Sequence, residues 1–299
     1  MISAQEYKEA SERYKEAVEA ELERLFEAEG ADIYPKLKEA MFYSLEAGGK
    51  RLRPVLLLSV CEMLGGDPEK ALPFACALEM IHTYSLIHDD LPCMDDDDMR
   101  RGRPSNHKMF GEAMALLAGD GLLSFAFEVM LGALRKDPDE GCLKAAYEIA
   151  LRAGSRGVVT GQAADKEHEG AEDESLETLE YIHEHKTADM LCAAVIAGAY
   201  IAGADEETVA KLSEYSKNMG LLFQITDDML DIKGDPELMG KTLGKDAVSG
   251  KLTYASFFGY EGAKKAAQAA AGKALDAVES IESSDFLRAT VLNMLVRSR

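Results

Sequence analysis

The sequence has little that would support a disulfide framework, a zinc site or a membrane anchor. Its five cysteines are scattered and show no paired or metal-ligand spacing. This pattern is typical of packing residues in a reduced, cytoplasmic protein. The longest stretch without a charged residue, 190–204, is too short to cross a bilayer, so we predict no membrane span.

Positive charge is also scarce. The chain of 299 residues carries 33 Lys and Arg against 54 Asp and Glu, a formal net charge of −21. Such a surface repels a nucleic-acid backbone, which excludes nucleic acid as a general partner. An anionic substrate would be repelled as well, unless local cations or metal ions receive it.

The sequence shows no period-two alternation that would predict a sheet, and no change in composition that would mark a domain linker. Apolar residues instead recur at helical spacing. The helical stretches lie near 3–29, 34–47, 54–63, 69–90, 107–134, 140–162, 175–202, 205–232 and 252–297. We therefore predict one all-α domain of about ten helices over residues 1–299.

An acidic cluster at the end of an apolar helix is the most informative feature. Six aspartates are followed at once by three arginines; they are Asp89, Asp90, Asp95, Asp96, Asp97, Asp98, Arg100, Arg101 and Arg103. Acids, bases and an apolar wall together are typical of a Mg²⁺ and phosphate site for a hydrophobic substrate. The alternative is a solvated acidic loop tip. An EF-hand fits poorly, because Arg100 stands where the loop glycine should be.

A second carboxylate cluster lies near the end of a later helix. Asp227, Asp228 and Asp231 fall within about a 100° arc of that helix and repel one another unless a multivalent cation lies between them. A Mg²⁺ site is preferred over a frayed acidic helix end. In the first cluster, Asp89 and Asp95 are six residues apart, so we predict that 91–94 leaves the helix at Pro92 and returns Asp95 to Asp89.

These motifs resemble those of the trans-isoprenyl diphosphate synthases over about residues 40–255. The residues that carry the resemblance are DDLPCMD at 89–95, RRG at 100–102, DDMLD at 227–231, GGKRLRP at 48–54, His82, GQAAD at 161–165, Lys186-Thr187, Gln224 and GKTLGKD at 240–246. Within the family the sequence is most similar to the bacterial-type farnesyl diphosphate synthases. The six-residue span of the first motif also resembles the plant-type geranylgeranyl synthases.

The resemblance implies a fold and an activity. The fold would be a single polyprenyl synthetase domain, a bundle of ten or more helices around a central cavity, in a cytoplasmic homodimer. The reaction would be Mg²⁺-dependent head-to-tail (1′-4) transfer of a dimethylallyl or geranyl group to isopentenyl diphosphate, giving farnesyl diphosphate. Alternatives are a C20 geranylgeranyl synthase, a class I terpene cyclase, a non-catalytic helical subunit and an acidic scaffold.

The resemblance also implies residue roles. Isopentenyl diphosphate would be held by Lys50, Arg53, His82 and Arg101. The candidate ligands for three Mg²⁺ ions with diphosphate bound are Asp89, Asp90, Asp95, Asp227, Asp228 and Asp231. The allylic diphosphate would contact Arg100, Lys186 and Lys241, and the carbocation would face Thr187 and Gln224. Taken alone, Lys50, Arg51 and Arg53 could be an ordinary basic helix start, and His82 a core residue.

Product length depends on the residues that precede the first acidic motif on the same helix. Tyr84 and Ser85 lie five and four residues before Asp89, and five helical residues span about 7.5 Å. A tyrosine ring there could block the growing chain, and the resemblance implies a farnesyl (C15) product. The alternative is that Tyr84 is only a packing residue and that a neighbouring helix forms the floor.

Overall fold

The computed structural model describes residues 2–169, 175–233 and 253–297. Within those residues the chain forms thirteen α-helices, one π-helical segment and two strands of two residues each. The α-helices are α1 Ala4–Ala28, α2 Pro35–Glu46, α3 Leu52–Met63, α4 Pro68–Asp89, α5 Asn106–Phe110, α6 Glu112–Lys136, α7 Glu140–Ala153, α8 Val158–Glu167, α9 Leu176–Ile182, α10 Asp189–Ile201, α11 Glu206–Lys233, α12 Tyr254–Ala277 and α13 Asp285–Arg297. The all-α prediction is confirmed.

Local sequence explains where several helices begin. Ser3 and Glu6 form a reciprocal capping box at the start of α1, which satisfies two backbone donors that the helix itself leaves free. Asp67 caps α4, and Pro68 occupies its first position, where a missing N–H has no cost. Helix α4 continues through Pro73 to Asp89, the first residue of the acidic cluster.

Four of the predicted helical stretches are divided in the structure, and one of them, 252–297, forms α12 and α13. The stretch 107–134 breaks between α5 and α6 at Gly111, whose φ of 85° is unfavourable for other residues. The stretch 140–162 breaks between α7 and α8 at Gly154 and Gly157. The stretch 175–202 contains the π-helical segment His183–Ala188, which joins α9 to α10. In each case the apolar spacing continued across the break and concealed it.

A small hairpin follows the acidic cluster. Strand β1, Met99–Arg100, pairs antiparallel with β2, Arg103–Pro104. The turn residues Arg101 and Gly102 have φ values of 53° and 75°, as a tight two-residue hairpin turn requires. The hairpin is too short to show alternation in the sequence, and it fixes the direction of the arginine side chains.

Helix α10 lies at the centre of the molecule. Its residues from Asp189 to Ala199 are all buried, and it packs against α3, α4, α7 and α11. A helix covered on all sides is apolar on all sides, which explains its lack of an amphipathic pattern. Buried side chains from Tyr14 in α1 to Met294 in α13 join this helix in one hydrophobic cluster.

Helix α6 is long and apolar enough to cross a membrane by length and composition alone. Core helices pass the same test, and 44% of its most apolar stretch is buried inside the protein. Its buried face, which includes Leu122 and Ala126, belongs to the hydrophobic cluster. Its opposite face exposes Leu117 and Leu131.

Candidate active site

The two acidic motifs face one cavity of about 1440 Å³. Asp89 at the end of α4 and Asp227 in α11 both line it. Residues from α3, α6, α8, the hairpin and the π-helical segment complete its wall. The prediction that Asp89 and Asp227 share a cleft is confirmed.

The predicted excursion between Asp89 and Asp95 is present. Helix α4 ends at Asp89, and the backbone N–H of Asp95 donates to the carbonyl of Asp89 over 2.9 Å. A tight turn at Leu91–Met94 closes the loop, with Met94 N–H donating to Leu91 O. Pro92 cannot donate a helical hydrogen bond, which allows the chain to leave the helix at this point.

Asp89 is held in an unfavourable electrostatic state. Burial raises the pKa of Asp89 to about 6, Lys186 opposes this shift, and Asp95 adds to it. The side-chain amide of Gln162 in α8 donates to its Oδ1 over 2.7 Å. A half-buried carboxylate of this kind gains from any cation that enters the cavity.

The predicted metal ligand Asp90 lies elsewhere. Its carboxylate is buried, pairs with Arg100 and lines a small neighbouring pocket instead of the central cavity. Residue 90 is rotated by about 100° from residue 89, which turns it away from the metal side. The same Arg100 also reaches Asp97 over 3.3 Å and lines the central cavity. Asp90 therefore orients Arg100, which corrects the sequence prediction.

Helix α8 supplies partners that sequence reasoning missed or left open. Lys166 Nζ lies 2.8 Å from Asp95 Oδ1, and Asp165 pairs with Lys186 over 2.5 Å. Gln162, Asp165 and Lys166 have spacing 0, 3 and 4, which places them on one helical face. That spacing is the signal that could have identified Lys166. The face holds Asp89, Asp95 and Lys186 in position before any ligand arrives.

The π-helical segment presents Lys186 and Thr187 to the cavity. Such single-turn π segments are frequent at functional sites, because they shift side chains out of the regular helical register. Gly161 in α8 allows the close approach: a Cβ at this position would lie 2.2 Å from the backbone nitrogen of Lys186. The glycine of the GQAAD motif therefore has a packing function.

Thr187 and Gln224 belong to a chain of hydrogen bonds. Thr187 Oγ1 donates to Gln224 Oε1 over 2.8 Å, and Gln224 Nε2 donates to Asp228 Oδ1 over 2.9 Å. The backbone N–H of Tyr254 donates to the other oxygen of Asp228 over 2.9 Å. Asp228 is buried, and these two hydrogen bonds connect the start of α12 to Gln224 on the cavity wall.

A group of cationic and imidazole side chains lines the same cavity. Arg53, His82 and Arg101 all line it, and Arg53 Nη1 lies 3.4 Å from His82 Nε2. Burial lowers the pKa of Arg53 to about 10, and burial together with Arg53 and Arg101 holds the pKa of His82 well below its usual range. Among the described residues, the buried Nε of Arg53 has no hydrogen-bond partner. An anion bound here would satisfy this donor and reduce the repulsion.

The GGKRLRP loop shapes this cationic side. A Cβ at Gly49 would lie 2.9 Å from the Arg101 guanidinium carbon, and Arg101 donates to the Gly48 carbonyl. Lys50, also predicted to hold the diphosphate, is exposed and is not among the described residues that line the cavity. Arg51 is buried and pairs with Glu79, so its function is structural.

Two further predicted side chains, those of Asp231 and Lys241, lie outside the described part of the chain.

Tyr84 and Ser85 are where the sequence predicts them, on the cavity wall one turn before Asp89. Tyr84 is 7% exposed, and burial raises the pKa of its hydroxyl.

The donor set fits a hard divalent cation. Mg²⁺ prefers carboxylate oxygens, takes few protein ligands and completes its shell with water and phosphate oxygens. Asp89 and Asp227 offer such oxygens across a cavity large enough for a diphosphate. Asp96, Asp98 and His107 form a separate group, whose ligand atoms lie within 4.8 Å of one another.

The helical fold thus forms an enzyme active site in which carboxylates, cations and apolar side chains line one cavity. The polyprenyl synthetase family model matches residues 34–295. The chain therefore belongs to the polyprenyl synthetase family.

Individual relatives agree. The chain is 54% identical over 253 residues to farnesyl diphosphate synthase of Geobacillus stearothermophilus, covering 84% of each protein. It is 49% identical over 251 residues to the chloroplastic geranylgeranyl pyrophosphate synthase 7 of Arabidopsis thaliana, covering 83% of this chain and 72% of that protein. A crystal structure of Helicobacter pylori geranyltransferase complexed with magnesium and isoprenyl diphosphate matches with a TM-score of 0.82 and 31% identity. The match covers 99% of this chain and 98% of that chain.

Proposed function

We propose that this protein is a Mg²⁺-dependent prenyltransferase that condenses isopentenyl diphosphate with dimethylallyl or geranyl diphosphate to give farnesyl diphosphate. The observation that carries the proposal is the shared cavity of Asp89, Asp227 and the Arg53–His82–Arg101 cluster. It offers one acidic and one cationic place for two diphosphates. The names of the relatives, which include a farnesyl diphosphate synthase at 54% identity, support this product.

Different residues would bind the two diphosphates. Bound Mg²⁺, in our proposal three ions, would neutralise the charge that develops on the departing diphosphate. Lys186 and Arg100 line the same cavity and would receive the oxygens of that diphosphate. Arg53, His82 and Arg101 would hold the second diphosphate, that of isopentenyl diphosphate, and orient its double bond towards the allylic carbon.

The allylic cation formed by loss of diphosphate must be protected from water. Leu116, Val158 and Phe223 provide an apolar part of the cavity wall. The hydrogen-bonded pair of Thr187 and Gln224 fixes oxygen dipoles nearby, which stabilise positive charge without forming a covalent bond. Attack by the double bond of isopentenyl diphosphate forms the new C–C bond. The proton released from that substrate then passes to the departing diphosphate.

The alternatives make different products. A C20 synthase would extend farnesyl diphosphate once more, and a relative with that name is 49% identical. A terpene cyclase would need no second diphosphate, yet Arg53, His82 and Arg101 form a second cationic place. A non-catalytic subunit or an acidic scaffold would need neither acidic motif on the cavity.

One assay separates these alternatives. The protein is incubated with Mg²⁺, isopentenyl diphosphate and either dimethylallyl or geranyl diphosphate, and the dephosphorylated products are identified by mass. We expect farnesol from both primers. Diphosphate release without chain growth favours a cyclase, geranylgeraniol as the main product favours the C20 enzyme, and no turnover refutes the proposal.

Replacing Tyr84 with Ala tests the floor of the cavity. We expect the main product to lengthen from C15 to C20, because removal of the ring leaves room for another isoprene unit below the cavity. The exposed Tyr147, in α7, provides a matched control: Tyr147→Ala should leave the product unchanged. Chromatography of the dephosphorylated products reads out the result, and an unchanged C15 product in Tyr84→Ala would refute Tyr84 as the floor.

We also propose a single domain in a cytoplasmic homodimer. Exposed apolar side chains on α6 and α7, among them Leu117, Leu131 and Leu143, form a surface that a second copy would cover. Sedimentation equilibrium should give about twice the chain mass of 32.5 kDa. A mass equal to one chain at micromolar concentration contradicts the homodimer.

A further inference from the structure

His88 joins two helices beside the proposed floor of the cavity. It lies one turn after Tyr84 on α4 and, like Tyr84, lines the cavity. Its Nε2 is 3.0 Å from the carbonyl oxygen of Leu116 in α6. Since a carbonyl oxygen can only accept, Nε2 carries the proton of this hydrogen bond. Leu116 also lines the cavity, so the bond spans the junction of α4 and α6.

Gly119 makes this contact possible. A Cβ at position 119 would lie 2.1 Å from His88 Nε2 and 2.4 Å from its Cδ2. Carbon and nitrogen atoms do not approach so closely without a bond. The His88 ring therefore occupies the space that any side chain at 119 would fill, and it rests directly on the backbone of α6.

The other side of the ring supports Tyr84. The Tyr84 and His88 rings are 5.6 Å apart at 81°, an edge-to-face arrangement that stabilises both orientations. The His88 ring therefore contacts the α6 backbone and the Tyr84 ring at once, while both rings line the cavity. A growing chain that displaces the Tyr84 ring must break this edge-to-face contact.

We propose that His88 is a specificity-determining residue, braced on α6 at Gly119, that holds Tyr84 in place and sets the product length together with it. This inference rests on the proposed function, because it concerns the chain that the cavity receives. His88 acts through its contact with Tyr84 and closes the junction between α4 and α6.

Two substitutions change the support in opposite directions. His88→Ala removes the ring that supports Tyr84 and opens the junction, so the C20 to C15 ratio should rise about ten-fold, the discrimination that a small change in an apolar pocket provides. Gly119→Ala forces the ring off α6 towards Tyr84 and the cavity, so the C10 to C15 ratio should rise by about the same factor. In the double variant, the methyl group added at position 119 has no ring to displace, so its effect should disappear.

The experiment compares product distributions of the wild type, both single variants and the double variant. The C10 to C15 ratio is measured with dimethylallyl diphosphate as primer, because geranyl diphosphate is itself the C10 compound, and the C20 to C15 ratio is measured with both primers. Gly132→Ala is the matched control on the same helix, since the nearest atom from another element to a Cβ at that position, Glu29 Oε2, is 4.0 Å away. It should leave the distribution unchanged. Circular dichroism confirms that each variant is folded, and Gly119→Ala decides alone if His88→Ala does not fold.

Three results would overturn the inference. In the first, both single variants keep the wild-type distribution. In the second, Gly119→Ala has the same effect with and without His88. In the third, folded His88→Ala has no turnover while Gly119→Ala behaves as wild type, which would assign His88 to the adjacent metal motif. Failure of the wild type to form any prenyl diphosphate refutes the proposed function itself and is distinguishable from all three.

Discussion

Asp89→Asn should lose catalysis and gain stability in the same protein. We expect kcat/KM for chain elongation to fall by about 10³-fold, because loss of one metal ligand removes several kcal/mol of charge stabilisation and each 1.36 kcal/mol is a factor of ten. The amide remains able to accept the hydrogen bond of Gln162. The fold should therefore be retained.

The stability gain follows from the raised pKa of Asp89. In the folded protein the pKa of the Asp89 carboxyl is about 6, above the usual 3.8, chiefly because the carboxyl is buried. A raised carboxyl pKa means that the charged form destabilises the fold above about pH 6, and that this cost vanishes below about pH 4. Without metal, Asp89→Asn should be more stable than the wild type by about 1–3 kcal/mol at pH 8. At about pH 4 the two should be equally stable.

Calorimetry with and without Mg²⁺ and pyrophosphate measures the change in stability, and the chain-elongation assay measures the loss of catalysis. The ligands should raise the melting temperature of the wild type more than that of the variant, because the carboxylate that gains from the cation is absent. Asp137→Asn is a suitable control, since this exposed residue pairs with Lys70 away from the cavity. Equal ligand stabilisation of wild type and Asp89→Asn, or near-normal turnover of the variant, would argue against Asp89 as a ligand.

Glu79→Ala should have the largest effect on folding. Arg51 Nη1 lies 2.7 Å from Glu79 Oε1, and both side chains are almost completely buried, at 2% and 1% exposure. Removal of one partner of a buried ion pair costs about 3–5 kcal/mol. Arg51 keeps a longer ion pair of 3.3 Å with Glu19, whose side chain is 37% exposed, and a hydrogen bond to the Leu45 carbonyl, so we expect a cost at the lower end of this range.

Urea unfolding followed by circular dichroism provides the measurement. Glu207→Ala is the control, because it removes an exposed i, i+4 pair with Lys211 and should cost about 1 kcal/mol or less. The double change Arg51→Met and Glu79→Leu should recover much of the loss, since it removes both charges together. A cost below about 1 kcal/mol for Glu79→Ala would mean that water reaches Arg51 and screens its charge.

The backbone path of the acidic motif was predictable from the sequence, although the metal-ligand role predicted for Asp90 was wrong. The distance of six residues between Asp89 and Asp95, with Pro92 between them, required a departure from the helix, and the backbone bond from Asp95 to Asp89 confirms it. The departure was predictable because it depends only on local constraints, namely the helical angle per residue and the missing N–H donor of Pro92.

The partners of these residues were not predictable in the same way. Gln162 reaches Asp89 across 73 positions of the chain, and Asp165 reaches Lys186 across 21. Asp90 and Arg51 have the charges expected of ligand-binding residues, yet both are buried in ion pairs. The π-helical turn at His183–Ala188 left no mark in the apolar spacing, because it depends on the close packing of Gly161 against it.

By itself, the sequence determined the helical class, the acidic motifs and the chemistry suited to them. Helical spacing, capping and proline act over a few neighbouring residues, so a linear pattern contains them. Only the tertiary structure decided which carboxylate faces the cavity, which arginine is paired, and how His88 rests on Gly119. These outcomes depend on distances between side chains brought together from different helices, and packing fixes such distances only when the whole core has formed.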